Sequence, residues 1–294
     1  MATKVTAPAL RAHKGAREPL VMVTAYDAPG ARIADAAGVD MILVGDSLGM
    51  VVLGYEDTLQ VTVEDMVHHT AAVARARPRP LIVSDLPWMS YHTGPVDAVT
   101  NAARLVRAGA QAVKLEGGRK RLQVVEAIVD AEIPVVGHLG LTPQSVHAMG
   151  GFKVQGKDLD AARALVEDAR ALADAGCFAI VVEGVPDVVA ERITQSVPVP
   201  TIGIGAGPHC DGQVLVFHDV LGIEDGVAPK FVRRYASVKA DAVSALSAWA
   251  EDVRRGRFPS DAETYHLAPG PAADLEAPQR GSSGPPARPA LAAR

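Results

Sequence analysis

The stretch VDMILVGDSLG, residues 39–49, decides the fold, because its apolar run ends abruptly at the Asp46-Ser47 pair and a glycine. A short apolar run bounded by turn residues is typical of a strand that is covered on both faces. A carboxylate directly after such a strand lies at the edge of the sheet, where α/β folds hold their functional groups. For an isolated case, the alternative is that Asp46 caps the next helix or turn.

The same pattern, an apolar run with a polar side chain at its end, occurs four more times. The runs are PLIVSD, AVKLEGG, PVVGHLG and FAIVVEG, and their polar residues are Asp85, Lys114, Glu116, His138 and Glu183. Five repeats of one pattern argue against coincidence. If the strands lie side by side and parallel, their polar ends meet at one mouth.

Eight strand-like runs alternate with helical patterns along the chain. They are LVMVTAY (residues 20–26), MILVG, PLIVSD, AVKLEGG, PVVGHLG, FAIVVEG, PTIGIG and QVLVFHD. This alternation predicts a (β/α)8 barrel, and the lack of an early GxGxxG motif favours it over a doubly wound open sheet. Asp27 and Gly38 predict the beginning and end of the first crossover helix, and Thr62 with Asp65 predicts a capping box.

The predicted domain organisation has three parts. We expect residues 1–18 to form a flexible N-terminal arm and residues 19–267 to form the barrel catalytic domain. Residues 268–294, rich in Ala, Pro, Gly and Ser without periodicity, predict a disordered tail.

Composition excludes several classes of function. The net charge of −5 is mild, and the chain has no stripe of Lys and Arg with interleaved aromatics, so nucleic acid is not an expected partner. No apolar run approaches the ~20 residues of a membrane helix, and the N-terminus lacks the apolar segment of a secretory signal. Cys177 and Cys210 lack metal-binding spacing and indicate buried thiols of a cytoplasmic protein.

Three carboxylates at strand ends suggest a metal site. Asp46, Asp85 and Glu116, with Ser47 nearby, are hard oxygen donors that suit Mg²⁺. Zn²⁺ prefers Cys and His, and no His-x-His or Cys-x-x-Cys spacing is present. The alternative is ion pairing, for example of Glu116 with Lys114, whose side chains share one face of a strand.

Glu183 follows the most apolar of the runs. Apolar surroundings disfavour the charged form of a carboxyl group, which suits a general base that works near neutral pH. The alternative is a glutamate neutralised by Arg192 or another cation. His138 also has a position at the mouth, with a core or hydrogen-bonding histidine as the alternative, and IGIGAG fits a phosphate-binding loop or a tight turn equally well.

Longer segments resemble the ketopantoate hydroxymethyltransferase (3-methyl-2-oxobutanoate hydroxymethyltransferase) family. They are LVMVTAYD, VGDSLGM, HTAAV, SDLPWMSY, RAGAQAVKLEGG, PVVGHLGLTPQSVHAMGGFKVQG, and TIGIGAG followed by DGQVLVFHD. The resemblance extends from about residue 4 to residue 266. GDSLGM together with GHLGLTPQS and the following GGFKVQG is highly specific, whereas IGIGAG alone is weak.

The resemblance implies roles for individual residues. Asp46 and Asp85 correspond to the family's direct Mg²⁺ ligands, and Glu116 to a further residue of the metal site. The positions that hold the oxo acid correspond to Asp46, Ser47, Asp85 and Lys114. None of these positions departs from the family's pattern.

The resemblance also implies a fold, a reaction and an assembly. The implied fold is a barrel of the phosphoenolpyruvate/pyruvate type. The implied assembly is the homodecamer of two stacked pentamers that members of the family commonly form. The family transfers a hydroxymethyl group from 5,10-methylenetetrahydrofolate to 3-methyl-2-oxobutanoate (α-ketoisovalerate), which gives 2-dehydropantoate (ketopantoate) and tetrahydrofolate in the first step of pantothenate biosynthesis. Glu183 occupies the position of its proton acceptor, and His138 is a possible accessory residue.

Two rival functions remain at this point. One is a Mg²⁺-dependent lyase that cleaves a carbon–carbon bond of a small 2-oxo or 2-hydroxy acid on the same barrel, and a folate requirement distinguishes it. The other is a non-catalytic scaffold, against which the crowding of like charges argues.

Overall fold

A computed structural model describes residues 3–224, 229–269 and 271 of the 294-residue chain. Eight strands form a closed barrel in sequential order, each parallel to its neighbours. They are β1 (Leu20–Thr24), β2 (Met41–Val44), β3 (Leu81–Asp85), β4 (Ala112–Glu116), β5 (Val135–Gly140), β6 (Ala179–Glu183), β7 (Thr201–Ile204) and β8 (Gly212–Leu215). Because β1 pairs with β8, the predicted (β/α)8 barrel is confirmed and the open sheet is excluded.

Helices precede, connect and follow the strands. They are α1 (Ala7–Arg11), α2 (Ala28–Ala36), α3 (Leu48–Val51), α4 (Val63–Arg75), α5 (Pro95–Arg107), α6 (Leu122–Asp130), α7 (Val146–Met149), α8 (Leu159–Asp174), α9 (Asp187–Ser196), α10 (Phe217–Leu221) and α11 (Val238–Arg254). Short 3-10 turns cover Arg119–Arg121, Pro143–Ser145 and Asp261–Glu263. Every helix in the described part of the chain is too short or too polar to span a bilayer.

The predicted helix signals are confirmed. The Asp27 side chain accepts a 2.7 Å hydrogen bond from the backbone N–H of Gly30, and α2 is followed by Gly38 with a φ of 80°. Thr62 and Asp65 form a reciprocal capping box at the start of α4. These caps satisfy N–H groups that the first helical turn leaves unpaired.

Alternate residues of each strand pack in two different clusters. On β2, Met41 and Leu43 face an inner cluster that fills the barrel, whereas Ile42 and Val44 pack with residues of the surrounding helices. This alternation follows from the two-residue period of a strand. Above this apolar cluster, polar side chains at the carboxyl ends of several strands form the mouth.

The N-terminal segment differs from the predicted flexible arm. Residues 7–11 form α1, which Thr6 caps, and Ala7 and Leu10 are buried in the inner cluster. Lys14 Nζ lies 2.7 Å from Asp211 Oδ2 at the start of β8. A helix of five residues is too short to show helical periodicity in the sequence, so the prediction missed it.

The last strand is shorter than predicted. QVLVFHD was predicted as one strand, but β8 ends at Leu215 and α10 begins at Phe217. The backbone N–H of Phe217 donates to Thr24 Oγ1 at 2.9 Å, which turns the chain into the helix. The segments that follow β2 and β5 contain the short helices α3 and α7.

The chain divides into two compact units, Met1–Lys239 and Ala240–Arg294. The first unit contains the whole barrel. It ends at Lys239, whereas the barrel domain was predicted to extend to residue 267. In the second, the ring centroids of Trp249 and Phe258 lie 6.3 Å apart. Apart from residues 268, 269 and 271, the predicted disordered tail lies outside the described residues. Cys177 and Cys210 are buried thiols, as predicted.

Candidate active site

One cavity of about 100 Å³ at the carboxyl ends of the strands brings together all the residues singled out in the sequence. They are Asp46, Ser47, Asp85, Lys114, Glu116, His138 and Glu183. Apolar side chains of Leu43, Val181, Ile204 and Val214 line the remainder. The predicted convergence at one mouth is therefore a property of the structure, and the cavity combines an acidic half with an apolar half.

Strand register explains why these side chains meet. Asp85 is aligned with Lys114 across the β3–β4 pair, and Glu116 is aligned with His138 across the β4–β5 pair. Residues two apart on a strand share a face, so Lys114 and Glu116 both point into the barrel. Asp46 follows β2 directly after Gly45, at the same level of the mouth.

Asp46 and Asp85 form a close pair of buried acids. The Asp46 backbone N–H donates to Asp85 Oδ2 at 3.1 Å, and the two residues are only 4% and 2% exposed. Burial, followed by the charges of Asp85 and Glu116, raises the pKa of Asp46 well above its ordinary value. Burial also raises the pKa of Asp85, although Lys114 opposes it. Burial and the neighbouring acids thus disfavour the charged forms of the two carboxyl groups.

Lys114 is the central cation of the cavity. Its Nζ lies 3.1 Å from Asp85 Oδ1 and 3.2 Å from His138 Nδ1. Burial opposes its charge, but the neighbouring carboxylates, Asp85 foremost, raise the pKa of Lys114 above its ordinary value. The sequence left open an ion pair between Lys114 and Glu116. In the structure, Lys114 pairs with Asp85 instead.

His138 lies between two glutamates. Its Nδ1 is 3.4 Å from Glu116 Oε1, and its Nε2 is 3.1 Å from Glu183 Oε2, an ionic contact that is not aligned as a hydrogen bond. Burial and Lys114 oppose protonation, but Glu116 and Glu183 raise the pKa of His138 to about 9. The cation beside Glu183 is thus His138, whereas Arg192 lines a different groove between α8 and α9.

Glu183 is the most accessible of the strand-end carboxylates. Its side chain is 15% exposed, against 3% for both Asp85 and Glu116. A base that removes a proton from a bound substrate must reach it directly. The greater exposure of Glu183 therefore suits it to proton transfer better than its neighbours.

Two important residues were missed in the sequence. Gln144, in the turn after β5, donates from Nε2 to Asp46 Oδ2 at 2.8 Å and from its backbone N–H to Glu116 Oε2 at 3.0 Å. Tyr91 Oη donates to Gln144 Oε1 at 2.6 Å. The sequence signals were the positions of Gln144 within GHLGLTPQS and of Tyr91 at the end of SDLPWMSY, since neither side chain belongs to a pattern of its own.

The acidic half of the cavity fits a hard divalent cation. Mg²⁺ is commonly held by one or two carboxylates, with water and substrate oxygens as the other ligands. Asp46 and Asp85 provide two buried carboxylates. Asp85 Oδ1 faces Lys114 Nζ at 3.1 Å, in an ionic contact that is not aligned as a hydrogen bond. Among residues 3–224, 229–269 and 271, no group of three or more His, Cys, Asp or Glu side chains has an arrangement that could hold a metal ion. Because both oxygens of Glu116 face other groups, its direct part in a metal site stays a prediction.

Solved structures share the fold of this chain. A 2,3-dimethylmalate lyase, described as a PEP mutase/isocitrate lyase superfamily member, matches with a TM-score of 0.57 at 18% identity over 94% of each chain. A phosphoenolpyruvate phosphomutase from Streptomyces platensis subsp. rosaceus matches with a TM-score of 0.57 at 19% identity over 92% of this chain and 94% of that one. The expected barrel of the phosphoenolpyruvate/pyruvate type is thereby confirmed.

Sequence comparisons identify a nearer group. A 3-methyl-2-oxobutanoate hydroxymethyltransferase of Bradyrhizobium diazoefficiens is 56% identical over 264 residues, 90% of each chain. Another, of Pyrobaculum islandicum, is 59% identical over 244 residues, 83% of this chain and 93% of that one. The model of the family described as ketopantoate hydroxymethyltransferase matches residues 4–261. The chain therefore belongs to the ketopantoate hydroxymethyltransferase family.

Proposed function

We propose that the protein transfers a hydroxymethyl group from 5,10-methylenetetrahydrofolate to 3-methyl-2-oxobutanoate, which gives 2-dehydropantoate and tetrahydrofolate. The observation that carries the proposal is the convergence of Asp46, Asp85, Lys114 and Glu183 on one small cavity, in a chain that matches the family over nearly its whole barrel. An oxo acid that must lose a proton beside its ketone needs both positive charge and a base, and this cavity offers both.

The oxo acid has a charged end and an apolar end, as the cavity does. Its carboxylate and ketone face Ser47 and Lys114, and its branched methyl groups lie against the apolar half formed by Val181, Ile204 and Val214. The four carboxylates at the mouth outnumber the two cationic groups. An anionic substrate therefore needs a further positive charge in order to bind.

A divalent cation supplies that charge. Asp46 and Asp85 would hold Mg²⁺, with Glu116 nearby, and the ion would polarise the ketone and stabilise negative charge that develops on its oxygen. Gln144 donates to Asp46 Oδ2, so it fixes the direction of that carboxylate before any ion binds.

Glu183 accepts the proton from carbon 3 of the oxo acid. The His138 Nε2 atom, 3.1 Å from Glu183 Oε2, orients the base, and Lys114 opposes the negative charge that the loss of the proton creates. Carbon 3 then forms a bond to the methylene carbon of the folate. Overall that carbon loses both of its bonds to nitrogen and gains the oxygen of one water. The two folate nitrogens take up the proton from carbon 3 and one proton from water.

One assay tests the reaction. The protein is incubated with the oxo acid, 5,10-methylenetetrahydrofolate and Mg²⁺, and ketopantoate is sought by mass spectrometry. We expect the product only when the folate is present, which also separates the transferase from the rival lyase. Turnover of the oxo acid without folate, or the absence of ketopantoate, would refute the proposal.

Two further expectations stay predictions. The homodecamer follows from the family resemblance, and light scattering of the full chain tests it. The cytoplasmic location is supported by the free cysteines, and fractionation of cells tests it.

A further inference from the structure

The acidic cavity is too small for both reactants of the proposed reaction. Its volume of about 100 Å³ suits a small acid, whereas pockets for larger organic ligands measure roughly 300–1,000 Å³. The folate donor carries a fused pterin ring and a benzoyl ring. The reaction thus requires a second pocket close to the first.

A larger cavity lies at the same end of the barrel. It has a volume of about 440 Å³ and is bordered by the segment after β1, the start of α2, the end of α3 and α10. Its lining includes Tyr26, Ile33, Val51, Val52, Phe217 and His218. None of these residues takes part in the proton transfer described above.

Two hydrogen bonds join the walls of the two cavities. The hydroxyls of Tyr26 and Ser47 are 2.9 Å apart, and the backbone N–H of Phe217 donates to Thr24 Oγ1 at 2.9 Å. Ser47 and Thr24 line the acidic cavity, whereas Tyr26 and Phe217 line the larger one. A ligand in the larger cavity is therefore a neighbour of a substrate in the smaller one.

The chemistry of the larger cavity suits a flat heteroaromatic ring. The ring centroids of Tyr26 and Phe217 lie 5.6 and 6.0 Å from that of His218, and Ile33 and Val52 provide apolar contacts. His218 Nδ1 is a buried polar atom that has no hydrogen-bond partner in the described part of the chain. Burial lowers the pKa of His218, so its ring is neutral and offers both a donor and an acceptor.

We propose that this cavity binds the pterin ring of the folate donor, with His218 as a polar contact and Tyr26 and Phe217 as its aromatic walls. The inference rests on the proposed function, because only a two-substrate transfer calls for the second pocket. His218 lines the cavity, and its imidazole ring can exchange hydrogen bonds with the polar edge of a pterin. We therefore expect the folate and the oxo acid to bind in separate pockets that share a wall.

The test fills the cavity without touching the acidic residues. Ile33 lies on α2, and Val52 directly follows α3. Both positions are partly exposed, 51% and 44%, so Ile33→Trp and Val52→Trp have room for the larger side chain in the folded protein. Val188→Trp, 65% exposed in the groove between α8 and α9, is the matched control. Each full-length protein is titrated with tetrahydrofolate by calorimetry in the presence of Mg²⁺ and oxo acid. In parallel, exchange of the carbon 3 proton in D2O is followed without folate.

We expect both filling variants to raise the Kd for tetrahydrofolate at least about tenfold, which corresponds to about 1.4 kcal/mol. Their proton exchange should stay within about twofold of wild type, and His218→Leu should weaken tetrahydrofolate binding by a smaller factor. Val188→Trp should change neither quantity. Wild-type affinity in both filling variants would overturn the pterin site while leaving the transferase intact. A wild-type protein that forms no ketopantoate and binds no tetrahydrofolate would overturn both proposals.

Discussion

Asp211 and Asp46 lie at opposite ends of the barrel, and the chain surrounds their carboxylates differently. At the amino-terminal end, Asp211 accepts hydrogen bonds from Lys14 Nζ at 2.7 Å and from the Thr201 backbone N–H at 2.8 Å. Although burial opposes it, these donors lower the pKa of Asp211. At the carboxyl end, burial and neighbouring acids raise the pKa of Asp46.

The difference separates stability from function. The amino-terminal end is closed by α1, with its acid balanced by groups of the same chain, so its interactions hold the fold together. The carboxyl end keeps acids that the chain only partly balances, which costs stability and is repaid when ligands bind. Variants at the two ends should therefore fail in different assays.

The largest effect is expected at the mouth, from Glu183→Gln. Removal of a general base typically lowers a rate by about 10²–10⁴-fold. We expect kcat for ketopantoate formation to fall by that factor while the Kd for the oxo acid, measured by calorimetry, changes little. Asp211→Asn serves as the control and should keep kcat. A Glu183→Gln enzyme with wild-type kcat would remove Glu183 from the role of base.

At the closed end, Leu10→Ala should reduce stability and leave catalysis intact. Loss of a buried leucine typically costs about 2–5 kcal/mol, and Leu10 packs in the inner cluster. Urea unfolding should show the loss, whereas kcat of the folded enzyme should stay at the wild-type value. Leu159→Ala, at an exposed position, controls for helix effects. Unchanged stability would mean that α1 is not needed to close the barrel.

Gln144→Leu should weaken metal binding. The amide holds Asp46 Oδ2, and loss of such a supporting hydrogen bond typically costs 10–100-fold in metal affinity. Titration with Mg²⁺ by calorimetry should show the change. Gln155→Leu is the matched control, because Gln155 also follows β5 but donates to the Lys153 carbonyl. Equal affinities in the two variants would contradict the assigned role.

The smallest effect concerns pH. Because the folded pKa of Asp46 is raised above 3.8, its contribution to stability is complete below that pH and is lost as the pH rises through the raised pKa. Without Mg²⁺, the melting temperature of Asp46→Asn should therefore fall less between about pH 4 and pH 7 than that of the wild type. Each kcal/mol of stability corresponds to about 2–4 °C in melting temperature.

Asp211 should behave in the opposite way, which sharpens the contrast between the two ends. Its lowered pKa stabilises the fold above pH 3.8 and that contribution is lost as the pH falls through the folded pKa. Asp211→Asn should thus lower the melting temperature at pH 7. Parallel pH profiles of the two variants in differential scanning calorimetry would show that the two acids do not differ in this way.

The barrel and most of the site followed from the sequence, because the strands are short apolar runs and five of these runs are followed by a polar residue of the site. That local pattern predicts Asp46, Asp85 and Glu183 at one mouth, where the structure has them. It assigns no roles, which stay predictions.

Three features depend on contacts that no local pattern reports. Gln144 and Tyr91 reach the acids through loop conformations, and the turn at Phe217 depends on a hydrogen bond to a residue 193 positions away. The helix α1 is stabilised by the inner cluster that it covers, not by its own five residues. Tertiary packing therefore supplied what sequence periodicity lacked.

The most direct test of the account is exchange of the carbon 3 proton of 3-methyl-2-oxobutanoate in D2O, followed by NMR without folate. We expect that wild-type protein with Mg²⁺ catalyses the exchange, that removal of the metal by a chelator stops it, and that Glu183→Gln slows it by about 10²–10⁴-fold. Exchange at the wild-type rate in Glu183→Gln, or none in the wild-type protein with Mg²⁺, would contradict the claim that the acidic mouth removes this proton.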